Sequence, residues 1–141
     1  MTSLGPDQPA SWTVLYDADC GFCRWSLSLV LALDRERRLV PIALGSAAAD
    51  DLLAELSDEQ RGRSWHLIAP SGERASAGAA APPLLRLLPG GRAPAALLAG
   101  APALTERVYG WVAAHRSALS RAVPSGAKRR ATERIARHAD R

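Results

Sequence analysis

The chain holds two cysteines, Cys20 and Cys23, separated by two residues at the point where an apolar run stops and an amphipathic run begins. Trp12-Thr13-Val14-Leu15-Tyr16 reads as a buried strand, with β-branched and aromatic residues and an abrupt polar end. Asp17-Ala18-Asp19 then leads into Cys20-Gly21-Phe22-Cys23. Beyond it Cys23, Leu27, Val30 and Leu31 fall at i, i+4, i+7 and i+8, one face of a helix. Trp25, Leu29 and Leu33 make a second apolar stripe, so this helix is expected to be covered on two sides. A Cys-x-x-Cys at a strand-to-helix junction is the arrangement that makes a cysteine redox-active, and it fixes where the first strand must end.

The rest of the chain extends that unit. Leu39-Val40-Pro41-Ile42-Ala43-Leu44 reads as a second strand, and Pro41 places it at a sheet edge. Strand, helix, strand over this length predicts a parallel pair with a right-handed crossover. Ser46 is placed to cap a helix through Leu52, Leu53 and Leu56. Ser57-Asp58-Glu59-Gln60 has capping-box spacing for another short turn, closed by Gly62. Trp65–Ala69 reads as a third strand, and Arg74–Ala77 as a fourth, joined by a Pro70–Glu73 turn. Pro82 and Pro83 suit a helix start, and Pro89-Gly90-Gly91 its end. A last long helix is expected from Pro102, with Leu104, Val108, Trp111, Val112 and His115 on one side, broken at Pro124-Ser125-Gly126. The order βαβ, helix, ββα predicts an α/β, thioredoxin-like domain: a four-stranded mixed sheet flanked by helices, with an extra C-terminal helix.

At 141 residues the chain suffices for one domain. Residues 1–11 carry no Lys or Arg and no apolar h-region, and read as a disordered leader; residues 12–123 form the domain. Two cysteines cannot make a disulfide framework, and no apolar stretch approaches the roughly 20 residues of a membrane span. A cytoplasmic location is therefore expected, where thiols stay reduced and a Cys pair is catalytic or metal-binding. Residues 107–141 hold nine Lys/Arg and two acids, a net of +7, against −3 for residues 1–106. The basic excess thus lies in a tail, residues 124–141, which reads as solvated and frayed with little to bury. No aromatic residue follows Trp111, so no stacking platform accompanies these charges and no nucleic-acid partner is expected.

The chemistry follows from the placement of the sulfurs. Cys20 is expected at the first turn of the helix, where unpaired N–H groups and the helix dipole stabilise a thiolate. Cys23 lies one turn deeper, beneath it. Cys20 then attacks a disulfide, and Cys23 resolves the mixed disulfide, leaving the Cys20–Cys23 bond oxidised. The dithiol is its own redox cofactor; no other is implied. Asp17 has two readings: a proton shuttle for Cys23, or a turn former. Asp19 reads as the helix N-cap, and Arg24 as a solvated helix residue. A structural zinc site needs four ligands, and His66, His115 and His138 are too scattered to complete one, so each takes a bland role. The expected partner is a disulfide- or thiol-containing protein or a small thiol. The competing reading is a non-catalytic binding module whose thiols sense oxidation or hold a soft metal.

Leu15-Tyr16-Asp17-Ala18-Asp19-Cys20-Gly21-Phe22-Cys23 resembles the Tyr-Asp-Gly-x-Cys-x-x-Cys opening of the DCC family of thiol-disulfide oxidoreductases (DUF393, YuxK-like). Looser agreement extends through Gly78-Ala79-Ala80, Leu87-Leu88-Pro89 and Val108-Tyr109-Gly110-Trp111-Val112 to Arg116. The resemblance implies a redox activity and gives the Asp-Cys-Cys trio as Asp17, Cys20 and Cys23. The sequence departs at Ala18, where the family usually has Gly. Arg63 and Ser64 precede the third strand, where thioredoxins carry a proline facing the Cys pair.

Overall fold

A computed structural model describes residues 11–139. The expected leader, apart from Ser11, lies outside the described residues. The chain runs through β1 (Trp12–Tyr16), α1 (Gly21–Leu33), β2 (Leu39–Ala43), α2 (Ala47–Leu52) and α3 (Asp58–Arg63). It continues through β3 (His66–Ile68), β4 (Arg74–Ser76), a 3-10 turn at Ala77–Ala80, and α4 (Ala81–Arg86). Four helices close it: α5 (Arg92–Ala99), α6 (Pro102–Ala114), α7 (Arg116–Ala122) and α8 (Ser125–Ala139).

The strands form one mixed sheet in the order β2-β1-β3-β4. β1 and β2 are parallel, with Val14 opposite Pro41; β3 runs antiparallel to β1 and to β4. Pro41 sits on an edge strand, where its missing N–H costs no ladder bond. Side chains alternate across a strand, so Val14 and Leu15 point to opposite faces, and both are buried. Val14 joins Leu27, Leu31, Leu39, Leu67, Leu84 and Ile135 in the larger core. Leu15 packs with Ala49 and Leu53 under α2. A thioredoxin-like sheet covered on both faces results, with the C-terminal end of β1 delivering Tyr16 and Asp17 to one edge.

Local chemistry sets the boundaries. The Ser46 hydroxyl accepts the Ala49 N–H at the start of α2. Ser57 and Gln60 form both bonds of a capping box, and α3 continues through Gly62 to Arg63 rather than stopping at the glycine. Gly91 is required by close approach: a Cβ there would lie 1.8 Å from the Leu85 carbonyl oxygen. It precedes α5, a helix that no side-chain cap announces in the sequence.

Two expectations are corrected. The C-terminal segment is not a solvated tail. α8 packs along α1 and against β2, burying Ala131 and Ile135 at 2% and 6% exposure. These two small and branched positions, four apart, give an otherwise basic helix one inward face. His138 Nε2 lies 3.0 Å from the buried Asp34 carboxylate, which also accepts the Arg38 and Leu39 N–H groups. The second correction concerns the helix from Pro102. It is divided at His115 into α6 and α7, and Leu104, Val108 and Trp111 are exposed. Polar anchors choose the inward side of α6 instead. Glu106 accepts the Ala79 N–H at 2.9 Å, and the Tyr109 hydroxyl accepts the Trp65 N–H at 3.4 Å. Among the described residues, no helix is long and apolar enough to cross a membrane.

Candidate active site

The β1–α1 loop is shaped by Asp17. Its Oδ1 accepts the Asp19 N–H at 3.0 Å, which closes a tight turn after the strand. Cys20, not Asp19, then occupies the N-cap position of α1, with extended backbone and its sulfur accepting the Cys23 N–H at 3.2 Å. The N-cap expectation for Asp19 is thereby corrected: its carboxylate is spent on no helix donor, because the turn puts the cysteine there instead. A sulfur at this position faces the unpaired N–H groups of the first helical turn, so negative charge on Cys20 meets donors.

Cys23 occupies a different environment. Burial, a hydrogen bond to Cys20 and the charge of Cys20 push its thiol up to about 12, while the Arg116 guanidinium draws it down. Both cysteines are free thiols and half-buried. At neutral pH the second thiol therefore keeps its proton.

Arg116 is the residue that sequence reasoning missed. It stands at the first position of α7, where the break at His115 turns it back over α1. Its Nη1 lies 3.8 Å from Asp17 Oδ2, and it lines the apolar cavity together with Cys23, whose thiol its charge draws down. It appeared in the sequence only as the end of a loosely matching segment; nothing local marks it as a site residue. Arg24 also differs from its solvated reading: its Nη1 donates to the Ala18 carbonyl, bracing the loop, and its Nε is buried.

Two cavities meet at the cysteines. An apolar one of about 310 Å³ is lined by Tyr16, Cys23, Val30, Trp65, Leu84 and Val112 among others, with Asp17, Tyr109 and Arg116 as polar members. Ser64, just before β3, and Trp65 form part of its wall. The second, about 430 Å³, is polar and holds Cys20 between the loop acids and the first turns of α7. Asp17 and Arg116 border both cavities. No hydrogen bond joins Asp17 directly to Cys23 among the described residues; both line the apolar cavity with Arg116, which pairs with Asp17.

The histidines take structural roles. His66 is buried and bonds Ser76 Oγ and the Arg61 carbonyl, His115 bonds the Trp111 carbonyl, and His138 pins α8 to Asp34. Among the described residues, no three His, Cys, Asp or Glu side chains are grouped to hold a metal ion.

The family model of the DCC1-like thiol-disulfide oxidoreductases matches residues 14–122. The chain belongs to this DCC1-like family. The match runs from β1 to the end of α7, so it takes in the Cys pair, Asp17 and Arg116 and stops before α8. No curated protein and no solved structure matches the chain significantly. For this DCC1-like chain, α8 therefore packs onto the core from outside the matched region.

Proposed function

We propose that the protein is a thiol-disulfide oxidoreductase in which Cys20 is the nucleophile, Cys23 the resolving thiol and Asp17 the proton acceptor. No cofactor beyond the dithiol is needed. The observation that carries this reading is the asymmetry of the pair: Cys20 accepts the Cys23 N–H and opens to the polar cleft, while Cys23 is held protonated inside the apolar cavity.

The asymmetry orders the steps. Cys20 attacks a disulfide and releases one thiolate, giving a mixed disulfide. The charge on Cys20 then vanishes, and with it two of the causes that hold the Cys23 proton. Arg116 remains, and it favours the Cys23 thiolate. Asp17, sharing the cavity and the guanidinium, takes up the proton. Cys23 attacks the Cys20 sulfur, and the second thiol leaves. Substrates are thiol- or disulfide-containing molecules.

Equilibration with mixtures of reduced and oxidised glutathione tests this. The expected result is a reversible transition between a dithiol and a Cys20–Cys23 disulfide. A potential near about −270 mV assigns a reductant, and one near about −120 mV an oxidant. Persistent free thiols, or two separately glutathionylated cysteines, would overturn the proposal.

A further inference from the structure

The polar cleft at Cys20 carries four charges in two opposed groups. Asp17 and Asp19 come from the β1–α1 loop, and Arg116 and Arg121 from α7. Asp17 and Arg116 are engaged with each other across 3.8 Å. Asp19 and Arg121 are exposed, and neither side chain has a partner among the described residues. Ser117 and Ser120 add hydroxyls along the arginine wall. Ser120 also packs closely on the start of α1: a Cβ on Gly21 would lie 2.7 Å from Ser120 Oγ and 2.8 Å from Lys128 Cε. A substrate at Cys20 thus meets an unpaired carboxylate on one side and an unpaired guanidinium on the other.

We propose that this cleft binds the amino-acid end of a small zwitterionic disulfide, with its carboxylate on Arg121 and its ammonium on Asp19. The proposal rests on the exchange chemistry above and names its substrate class. Guanidinium pairs with carboxylate through parallel N–H···O bonds, and the serine hydroxyls supply further donors. A chain that is only acidic meets Asp19 as a like charge, and one that is only basic meets Arg121. The chemistry balances. The Cys20 thiolate attacks one sulfur of R–S–S–R, the S–S bond breaks, and one RS⁻ leaves and takes up a proton. Cys23 loses its proton and attacks the Cys20 sulfur, and the second RSH leaves. The enzyme pair loses two electrons and the substrate gains them.

The test is single-turnover oxidation of the pre-reduced protein by four probes. Cystine carries both charges, cystamine only the ammonium, dithiodiglycolate only the carboxylate, and hydroxyethyl disulfide neither. Each rate is divided by the rate of the same probe with dithiothreitol, which removes differences in intrinsic reactivity. Cystine is expected to exceed hydroxyethyl disulfide by about tenfold, the sum of two exposed ion pairs. Arg121→Gln and Asp19→Asn should each lower that ratio about threefold. Arg121→Gln should act on dithiodiglycolate and not on the cystamine ratio; Asp19→Asn should do the reverse. Equal normalised rates for all probes, or a preference for dithiodiglycolate over cystine, would overturn this proposal and leave the exchange reading standing. Oxidation by none of the probes would overturn both.

Discussion

Arg116 reaches from the start of α7 to the β1–α1 loop, placing its Nη1 3.8 Å from the Asp17 carboxylate. The same guanidinium draws the Cys23 thiol downward against burial and the charge of Cys20. One side chain thus couples the acid to the resolving sulfur. Arg116→Gln is expected to slow resolution by about tenfold, the effect of losing a positive charge that favours the Cys23 thiolate by about one pKa unit. The mixed disulfide should accumulate in rapid-quench mass spectra. A dwell time equal to that of the parent protein would show that Arg116 plays no part in resolution.

His66 links β3 to β4 and to the end of α3 through Ser76 and the Arg61 carbonyl. Burial holds its imidazole below the ordinary 6.5; the Arg61 carbonyl opposes this, and the Arg74 charge adds to it. Below about pH 6.5 the unfolded chain therefore binds a proton that the folded chain resists. The stabilisation is present above that pH and is lost as pH falls through the folded value. Urea denaturation should show the midpoint dropping on acidification. His66→Gln should flatten that part of the profile; an unchanged slope in the variant would count against the assignment.

Ile135 carries the packing of α8 on α1. Ile135→Ala is expected to cost about 2–4 kcal/mol, as for other buried aliphatic truncations. Because α1 presents both cysteines, the variant should also lose protection of Cys23 from alkylation. A denaturation midpoint within error of the parent protein would mean that α8 is not part of the core.

Two glycines should respond in opposite directions. At Gly91 a methyl group collides with the Leu85 backbone, and Gly91→Ala is expected to cost about 2 kcal/mol or more. At Gly62, inside α3, nothing lies within 4 Å, and Gly62→Ala should stabilise by about 0.5–1 kcal/mol. Thermal melts of the two variants read both signs at once, and a melt of Gly91→Ala matching the parent would refute the close approach.

The parts of the fold legible in the sequence are those encoded by neighbours in the chain. β1, the Cys pair and α1 announce themselves through a strand pattern, a pair spacing and a helical period that abut. The capping serines Ser46 and Ser57 act on N–H groups three residues away. What was illegible depends on distant partners. Arg116 looks like any solvated arginine until the turn at His115 swings it onto Asp17. In α8, the inward pair Ala131 and Ile135 is masked by the arginines around it. The stripe Leu104, Val108, Trp111 has the period of a core face, yet periodicity cannot say which neighbour a helix finds. Glu106 and Tyr109 settled that through two polar bonds.

The division of labour between the sulfurs has one direct measurement: intact-mass analysis of Cys23→Ser and Cys20→Ser after brief exposure to a small disulfide near neutral pH. Cys23→Ser is expected to hold a stable mixed disulfide on Cys20, while Cys20→Ser stays unmodified because its remaining thiol is buried in the apolar cavity, and burial alone still holds its proton. Equal labelling of the two variants, or an adduct on Cys23 alone, would contradict the assignment.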